Sequence, residues 1–443
     1  MKAFYRRHSK LSQSNFQNSS FFFFGNVANN FYRLCKALNR NSIDPFPAIL
    51  FLSDREGKTN VPEGEESLLI RDNPSWINRQ RINRLRSLAF VNRRHPIRNL
   101  PGEGIIFLSS SNVISIKLVD FALSVFYATG ADITIFPFVS RHIRAIMDDN
   151  GIKISRKFFR IIRAIPFSLL FRSAVKKVDF VVANNFEPYK TSIEKLRIPA
   201  IKLVHSYPLI SIDTSLFTES YPLVGDLDPE IIESFERFDF KILGASRLLT
   251  NSHSLYTTTG QYKGNEVLLD VLIRLTISFP EKKIGVFFID RSPFDRGETA
   301  KMKRRIRSLS LVDKVVWLKP NTADSFSRRE MIYLYTLSDV VFNDVGSGWF
   351  GSLTLEAMSC SRPVINYVNE SIMLEMYGEH PMISASFPEN ISDCLESLII
   401  DEEKRDQLGQ RSRNWVEQFH SEQAIARQFK RVVSQINQIR GKH

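Results

Sequence analysis

The chain has 443 residues, 43% of them hydrophobic, which is enough for about two or three domains, each with its own core. Lys and Arg number 60 against 47 Asp and Glu, a formal charge of +13, so the surface attracts polyanions such as nucleic acid, anionic headgroups or phosphorylated substrates. Scattered Cys35, Cys360 and Cys394 exclude a disulfide scaffold, no run of 18 apolar residues offers a spanning helix, and Phe21–Phe24 is too short for a signal peptide, so a cytoplasmic chain is expected.

In chain order, Ser19–Phe24 reads as a buried strand ending in a tight turn at Gly25-Asn26. Asn29–Leu38 reads as an amphipathic helix with Phe31, Leu34, Cys35 and Leu38 on one face, and Ala48–Ser53 as the next strand. Asp54–Pro101 is irregular, polar and charged, and reads as a long loop with short helices. Strand Gly104–Leu108, helix Ile114–Leu123 and strand Val125–Tyr127 follow, the last running into Thr129-Gly130-Ala131-Asp132, on residue grounds an ordinary Gly-Asp turn.

Arg156–Val178 is a basic, aromatic-rich helical stretch in which Arg156, Arg160 and Arg163 share one face and Pro166 is expected to break or kink the helix. Such a helix either lies in a membrane interface or packs with a solvated basic face, and both readings stand at this stage. Phe180–Ala183 and Ala200–Val204 read as strands, with His205 after the second as a local hydrogen-bonding residue. Acidic, turn-rich Leu216–Arg237 reads as an interdomain connection, dividing the chain into domains 1–238 and 239–443.

The second half alternates as a doubly wound α/β domain does. Strand Lys241–Ala245 leads through Ser246-Arg247 and a polar loop to Tyr262-Lys263-Gly264 and helix Asn265–Ile277. Strands Ile284–Ile289 and Lys314–Leu318 alternate with helices Thr299–Leu309 and Arg328–Leu337. Then comes Asp339–Asn366, which parses as strand Val340–Phe342, a glycine-rich loop Gly346–Gly351, a helix from about Ser352 carrying Glu356 in its second turn, and strand Pro363–Tyr367. Free N–H groups at Gly351 and Ser352 would suit phosphate, and a carboxylate one turn in would suit ribose hydroxyls, which together suggest a nucleoside diphosphate; any βαβ unit also has a turn of this kind. Helices Glu389–Ile399, Asp401–Phe419 and Ser421–Ile439 end the chain. No His/Cys/Asp cluster has metal-ligand spacing, so no metal or other cofactor is expected.

Trp349–Met358 followed by Arg362-Pro363-Val364-Ile365 resembles the donor-binding signature of retaining GT-B glycosyltransferases, the large family 4 group. The family pattern is a pair of Glu residues with seven between them; Glu356 matches the second, while Gly348 stands in place of the first. The resemblance implies a GT-B fold, two Rossmann-like doubly wound α/β domains facing each other across a cleft, with the donor on the second. It implies donor binding by Arg247, Lys263, Asn343, Asp344, Gly351, Ser352, Leu353 and Glu356, although the 16 positions from Arg247 to Lys263 exceed the usual spacing. It also implies a cleft turn at Gly25-Asn26 and catalytic-centre residues at Thr129 and Asp132.

The implied reaction is retaining transfer of a hexose from a UDP- or GDP-linked donor to a hydroxyl of a glycan or lipid-linked acceptor, as in cell-surface polysaccharide or glycolipid assembly, without a metal. Arg247, Lys263 and the Ser352 helix N-terminus would stabilise the leaving diphosphate. Two outcomes of the glycine at position 348 stand side by side: Asp344 or a backbone group replaces the missing carboxylate, or the protein is a silent scaffold that binds nucleotide or partners without turnover. Peripheral contact with the inner face of the plasma membrane would run through Arg156–Val178. Nucleic acid is not an expected partner, because the basic residues are spread over both halves rather than gathered on one face.

Overall fold

The computed structural model describes residues 21–24, 30–42, 48–53, 77–80, 104–109, 113–114, 123–128, 131–147, 154–219, 227–248, 262–290, 297–320 and 326–442. The chain is α/β, built on two parallel sheets that lie in two compact units. The first unit holds the described residues of Met1–Asp148 and Ile152–Ser211 together with Glu422–His443; the second holds those of Ile212–Ser421. The division falls at Ser211/Ile212, earlier than the expected 238/239, because Ile212 bridges to Ser421 and its N–H donates to the His420 carbonyl at 2.8 Å.

In the first unit, strands β1 (Phe21–Phe24), β2 (Ile49–Ser53), β3 (Ile77–Gln80), β4 (Ile105–Leu108), β5 (Leu123–Tyr127), β6 (Phe180–Ala183) and β7 (Leu203–His205) pair in the order β3-β2-β1-β4-β5-β6-β7. Every pairing is parallel, which explains why β1 is four phenylalanines in a row: a strand between parallel neighbours is covered on both faces. Phe23 stacks on Phe107 of β4 at 5.0 Å, and Phe31 closes on Phe23 edge-on at 5.1 Å from helix Asn30–Arg40. The last helix, Glu422–Gly441, belongs to this unit: Ile425, Phe429, Val432 and Ile436 recur at helical spacing on its buried side, and Phe429 meets Phe21 at 5.1 Å. Glu422 at its start accepts Arg40 at 3.0 Å.

The sequence reading is corrected at several points here. β3 lies inside the stretch read as loop with short helices. Leu123, expected to end a helix, begins β5. Ala200–Lys202 forms a 3-10 turn, so the strand starts at Leu203. Helix Ile154–Lys177 runs on through Pro166: proline removes one N–H, but Ala164, Ser168 and Phe171 are buried on either side of it and hold the helix in place. Ala131–Thr134 is a short helix rather than a turn.

In the second unit, β8 (Phe240–Gly244), β9 (Ile284–Ile289), β10 (Val315–Leu318), β11 (Val340–Asp344) and β12 (Val364–Asn366) pair in the order β10-β9-β8-β11-β12, again all parallel. The chain builds outward from β8 to β10, then returns to the other side of β8 for β11 and β12. Leu268, Leu269, Leu272 and Leu275 of helix Val267–Ser278 fill the core with Ile391, Leu395 and Leu398 of helix Pro388–Ile400. The stretch read as interdomain connection contains helix Pro229–Glu236, started by proline and capped by Asp228, whose carboxylate accepts the Glu230 N–H at 3.0 Å. β8 and β11 are the neighbours between which the strand order reverses, and ligands of open α/β sheets bind outside the carboxyl ends of such a pair.

Candidate functional site at the β8–β11 switch point

The carboxyl end of β8 leads into Ser246 and Arg247, and the carboxyl end of β11 is Asp344 itself, so that this strand runs past the Phe342 at which the sequence suggested it would end. Arg247 is exposed, while Ser246 beside it is buried and donates its hydroxyl to the Asn343 carbonyl at 2.7 Å. Asn265, fully buried, donates in turn to the Ser246 hydroxyl at 2.8 Å. The arginine is thereby mounted on a residue fixed from both β11 and the start of helix Val267–Ser278.

Lys263 reaches the same strand end by another route. The Val345 N–H donates to the Lys263 carbonyl at 3.1 Å, and the Lys263 ammonium donates to Oδ2 of Asp344. The two loops touch closely: Gly264 has φ of +67°, and a Cβ on Gly346 would fall 2.3 Å from the Tyr262 ring. Both positions therefore require glycine. Tyr262 donates its hydroxyl to Glu266 Oε1 at 2.5 Å, and burial raises the pKa of both groups.

Asp344 is almost fully buried and uses both carboxylate oxygens internally. Oδ1 accepts the N–H groups of Gly346 at 3.1 Å and Ser347 at 2.9 Å, an Asx-type turn, while Oδ2 accepts the Ser347 hydroxyl at 2.7 Å as well as Lys263. Asn343 points the other way. Its amide donates to Thr354 Oγ1 at 2.6 Å and to Asn366 Oδ1 at 3.1 Å; Thr354 donates to the same oxygen at 2.7 Å. Asn366 closes the network by donating to the Trp349 carbonyl at 2.9 Å and the Tyr367 carbonyl at 3.0 Å.

This network and an aromatic cluster hold the glycine-rich loop. Trp349 stacks on Phe350 at 5.1 Å, and Phe350 meets Trp415 and His420 edge-on at 5.8 and 5.6 Å. Gly351 then adopts extended backbone and starts helix Ser352–Ser359 with no side-chain oxygen of its own to cap the first N–H groups, those of Ser352 and Leu353 among them. The half-buried Glu356 lies one turn in, and Tyr335 donates its hydroxyl to Glu356 Oε2 at 3.4 Å. Gly348 has φ of +75° and its carbonyl accepts the Asn369 N–H at 3.1 Å, so the position where the family pattern has a carboxylate is a left-handed turn residue here.

The structure thus gathers Lys263, Asn343, Asp344, Gly351, Ser352, Leu353 and Glu356 around one strand end, with Arg247 on the neighbouring one. Sequence reasoning missed Ser246, Asn265, Thr354 and Asn366, which position the others. Ser246 just after β8 and Asn366 closing β12 could have been found as small polar residues at the ends of apolar strands, whereas Asn265 before a helix and Thr354 within one carried no such signal. In the first unit, Asp132 lies in helix Ala131–Thr134, whereas Gly25, Asn26 and Thr129 lie outside the described residues.

Residues 257–415 match the family described as glycosyl transferases group 1. No curated protein matches the chain in sequence. Among solved structures, the Anabaena protein HepE in complex with UDP and glucose is similar at 14% identity, covering 94% of this chain and 99% of that one with a TM-score of 0.57. A glycosyltransferase from Rickettsia africae is similar at 16% identity, over 95% of this chain and 99% of that one, with a TM-score of 0.58. A sucrose-phosphate synthase from Thermosynechococcus elongatus follows at 11% identity, over 94% and 99%, with a TM-score of 0.53. The chain shares the GT-B fold of glycosyltransferases of this kind, and its segment 257–415 is the part that matches glycosyl transferases group 1.

Proposed function

We propose that the protein is a nucleotide-sugar-dependent glycosyltransferase that moves a hexose to an acceptor hydroxyl with retention of anomeric configuration. The observation that carries this reading is the β8–β11 strand end itself: a cation on Asp344, an uncapped helix N-terminus and a carboxylate one turn in, within the segment that matches the family. The donor diphosphate would lie against the Ser352 and Leu353 N–H groups and be met by Lys263 and Arg247, with Glu356 on the ribose. Charge neutralisation by two side-chain cations and a helix terminus needs no bound metal, and this reading expects none. The HepE complexes with UDP and with UDP-glucose support a uridine donor over a guanosine one. Asp132 and Thr129 are proposed for the acceptor side, and a glycan or lipid-linked acceptor in cell-surface assembly is the proposed setting.

In this scheme Asn343 and Asp344 serve as positioning residues: the Asn343 amide nitrogen donates to Thr354 and Asn366, and both Asp344 oxygens accept hydrogen bonds from the protein. One observation favours a second reading: Gly348 supplies no carboxylate to the donor sugar, and both oxygens of the buried Asp344 already accept hydrogen bonds from the protein. On that reading the site binds nucleotide and a partner without turnover. Thermal stabilisation by UDP, GDP and their sugars in EDTA, together with assay of UDP release, tests both. Stabilisation by UDP lost in Arg247→Ala and Glu356→Ala, with UDP release, supports the transferase. Stabilisation without release supports the scaffold, and no stabilisation by any nucleotide sinks the donor site.

A further inference from the structure

On the donor-site reading, helix Ser352–Ser359 meets the nucleotide twice, through the N–H groups at its start and through Glu356. Its eight residues span about 12 Å, so a small swing at the far end carries both groups with it. That far end is tied down with care. The N–H groups of Cys360, Ser361 and Arg362 take up the carbonyls of Glu356, Ala357 and Met358. The next carbonyl, that of Ser359, accepts the Arg413 guanidinium at 2.5 Å.

Arg413 comes from helix Glu402–His420 and spreads its planar fork over two chain segments. Nη1 donates to the Phe217 carbonyl at 3.2 Å as well as to Ser359, and Nη2 donates to the Thr214 carbonyl at 3.2 Å and pairs with Glu417 at 2.9 Å. Ser359 donates its buried hydroxyl to the same Phe217 carbonyl at 2.7 Å. One turn before Arg413, a Cβ added to Gly409 would fall 2.1 Å from the Ser361 carbonyl. The approach that brings Arg413 within reach therefore depends on glycine. The Arg413 side chain is 19% exposed, and its charge lies at the negative end of a helix whose positive end is offered to the diphosphate. Arg405, earlier in the same helix, is buried to a similar degree at 14%, but it donates to the Leu398 carbonyl at 2.8 Å and faces Asp339 and the Phe240 ring, none of them on helix Ser352–Ser359.

We propose that Arg413 is a positioning residue of the donor site: by holding helix Ser352–Ser359 from its carboxyl end, it keeps the Ser352 and Leu353 N–H groups and Glu356 aimed at the nucleotide. The aim at a nucleotide rests on the donor-site reading; the tether does not. Calorimetric titration with UDP and hydrogen exchange over residues 352–360 test the two parts, on the full chain and its variants Arg413→Met, Arg413→Lys and Arg405→Met. Arg413→Met is expected to bind UDP about tenfold more weakly, because a small misplacement at a binding group is costly, and to exchange faster over the helix. Arg413→Lys keeps the charge and one donor but not the fork, and is expected to fall between Arg413→Met and the wild type on both readouts. Arg405→Met removes a similarly buried cation from the same helix and is expected to change neither, whereas a merely structural role would make the two arginines alike. Where Arg413→Met does not fold, Arg413→Gln takes its place, with the same direction expected. The proposal is overturned if loss of the Arg413 fork leaves UDP affinity at the wild-type value, or if Arg405→Met weakens UDP as much. A wild type that binds no UDP sinks the donor-site reading instead, and exchange then decides the tether: faster exchange confined to residues 352–360 in Arg413→Met upholds it, and unchanged exchange overturns it.

Discussion

The ammonium of Lys263 rests on the carboxylate of Asp344, and the same carboxylate folds the following loop by accepting the Gly346 and Ser347 N–H groups. One buried group therefore aims a cation and shapes a loop. The Lys263 side chain keeps 23% of its surface exposed against 2% for Asp344, so the lysine is the partner that can turn towards an incoming phosphate. The aspartate stays with the protein.

This asymmetry predicts an order of effects. Lys263→Met leaves Asp344 with three remaining donors and is expected to cost about 1–3 kcal/mol of stability while weakening nucleotide binding at least about tenfold. Asp344→Asn replaces a carboxylate oxygen by an amide that faces donors on every side, and is expected to destabilise more, by about 3 kcal/mol or more. Urea unfolding and calorimetric titration with UDP measure both. A lysine variant less stable than the aspartate variant would contradict the arrangement.

Asn366 joins β11, helix Ser352–Ser359 and the Trp349 carbonyl through one amide. Asn366→Ala strips a partner from Asn343, Thr354 and Trp349 together, in a site where no water-exposed alternative is at hand. About 2–4 kcal/mol is expected, larger than the loss from a lone buried hydrogen bond. A urea midpoint within error of the wild type would show that the network does not hold the loop.

The sheets were legible because parallel strands are covered on both faces and read as apolar runs, as β1 and β9 do. β3 escaped because its sequence, Ile-Asn-Arg-Gln, carries one apolar residue and pairs at the sheet's edge, with β2 as its neighbour. Pro166 does not end its helix, which stays anchored by side chains buried on the opposite side, a tertiary effect that no local rule contains. At the site, residue types were readable but their direction was not. Asn343 and Asp344 follow a strand and read as ligand contacts, yet both carry their hydrogen bonds inward. Whether a polar side chain faces a ligand or its own loop depends on residues up to 81 positions away, as Lys263 is from Asp344.

The two glycines flanking Ser347 separate space from backbone strain. Gly348 has φ of +75° with the Tyr367 ring no closer than 3.5 Å to an added Cβ, so Gly348→Ala is expected to cost about 1–2 kcal/mol from the left-handed backbone alone. Gly346→Ala drives a methyl into the Tyr262 ring and the Tyr262 carbonyl at 2.9 Å. It is expected to cost more, about 2–4 kcal/mol, and to disturb Lys263 next to it. Equal midpoints for the two variants would show that the Tyr262 loop yields freely.

Thiol chemistry gives a probe of both units. Burial raises the Cys35 thiol well above its usual range and pushes Cys360 up to about 12, leaving little thiolate at neutral pH. Cys394 is half-buried and shifted in the same direction. Ellman's reagent on the native protein is expected to modify Cys394 first, with Cys35 and Cys360 reacting only on unfolding. Fast labelling of Cys35 would mean that helix Asn30–Arg40 opens from its sheet.

The buried Glu266 makes stability near the site depend on pH. Tyr262 donates to one of its oxygens, while the other is buried with no partner among the described residues, and burial raises its pKa above the ordinary glutamate value. Below the unfolded value both states hold the proton, and the favourable neutral form contributes in full. As pH rises through the window between the unfolded and the folded pKa, the unfolded chain releases its proton first and stability falls; above the folded pKa the loss is complete. Glu266→Gln keeps an acceptor for Tyr262 and removes the titration. Urea midpoints of wild type and Glu266→Gln are therefore expected to coincide near the acid end, to separate in favour of the variant as pH rises to neutrality, then to run parallel. A gap that shrinks with rising pH would mean that Glu266 is held ionised by a neighbouring cation, with Arg305 as the group whose charge acts on it in that direction.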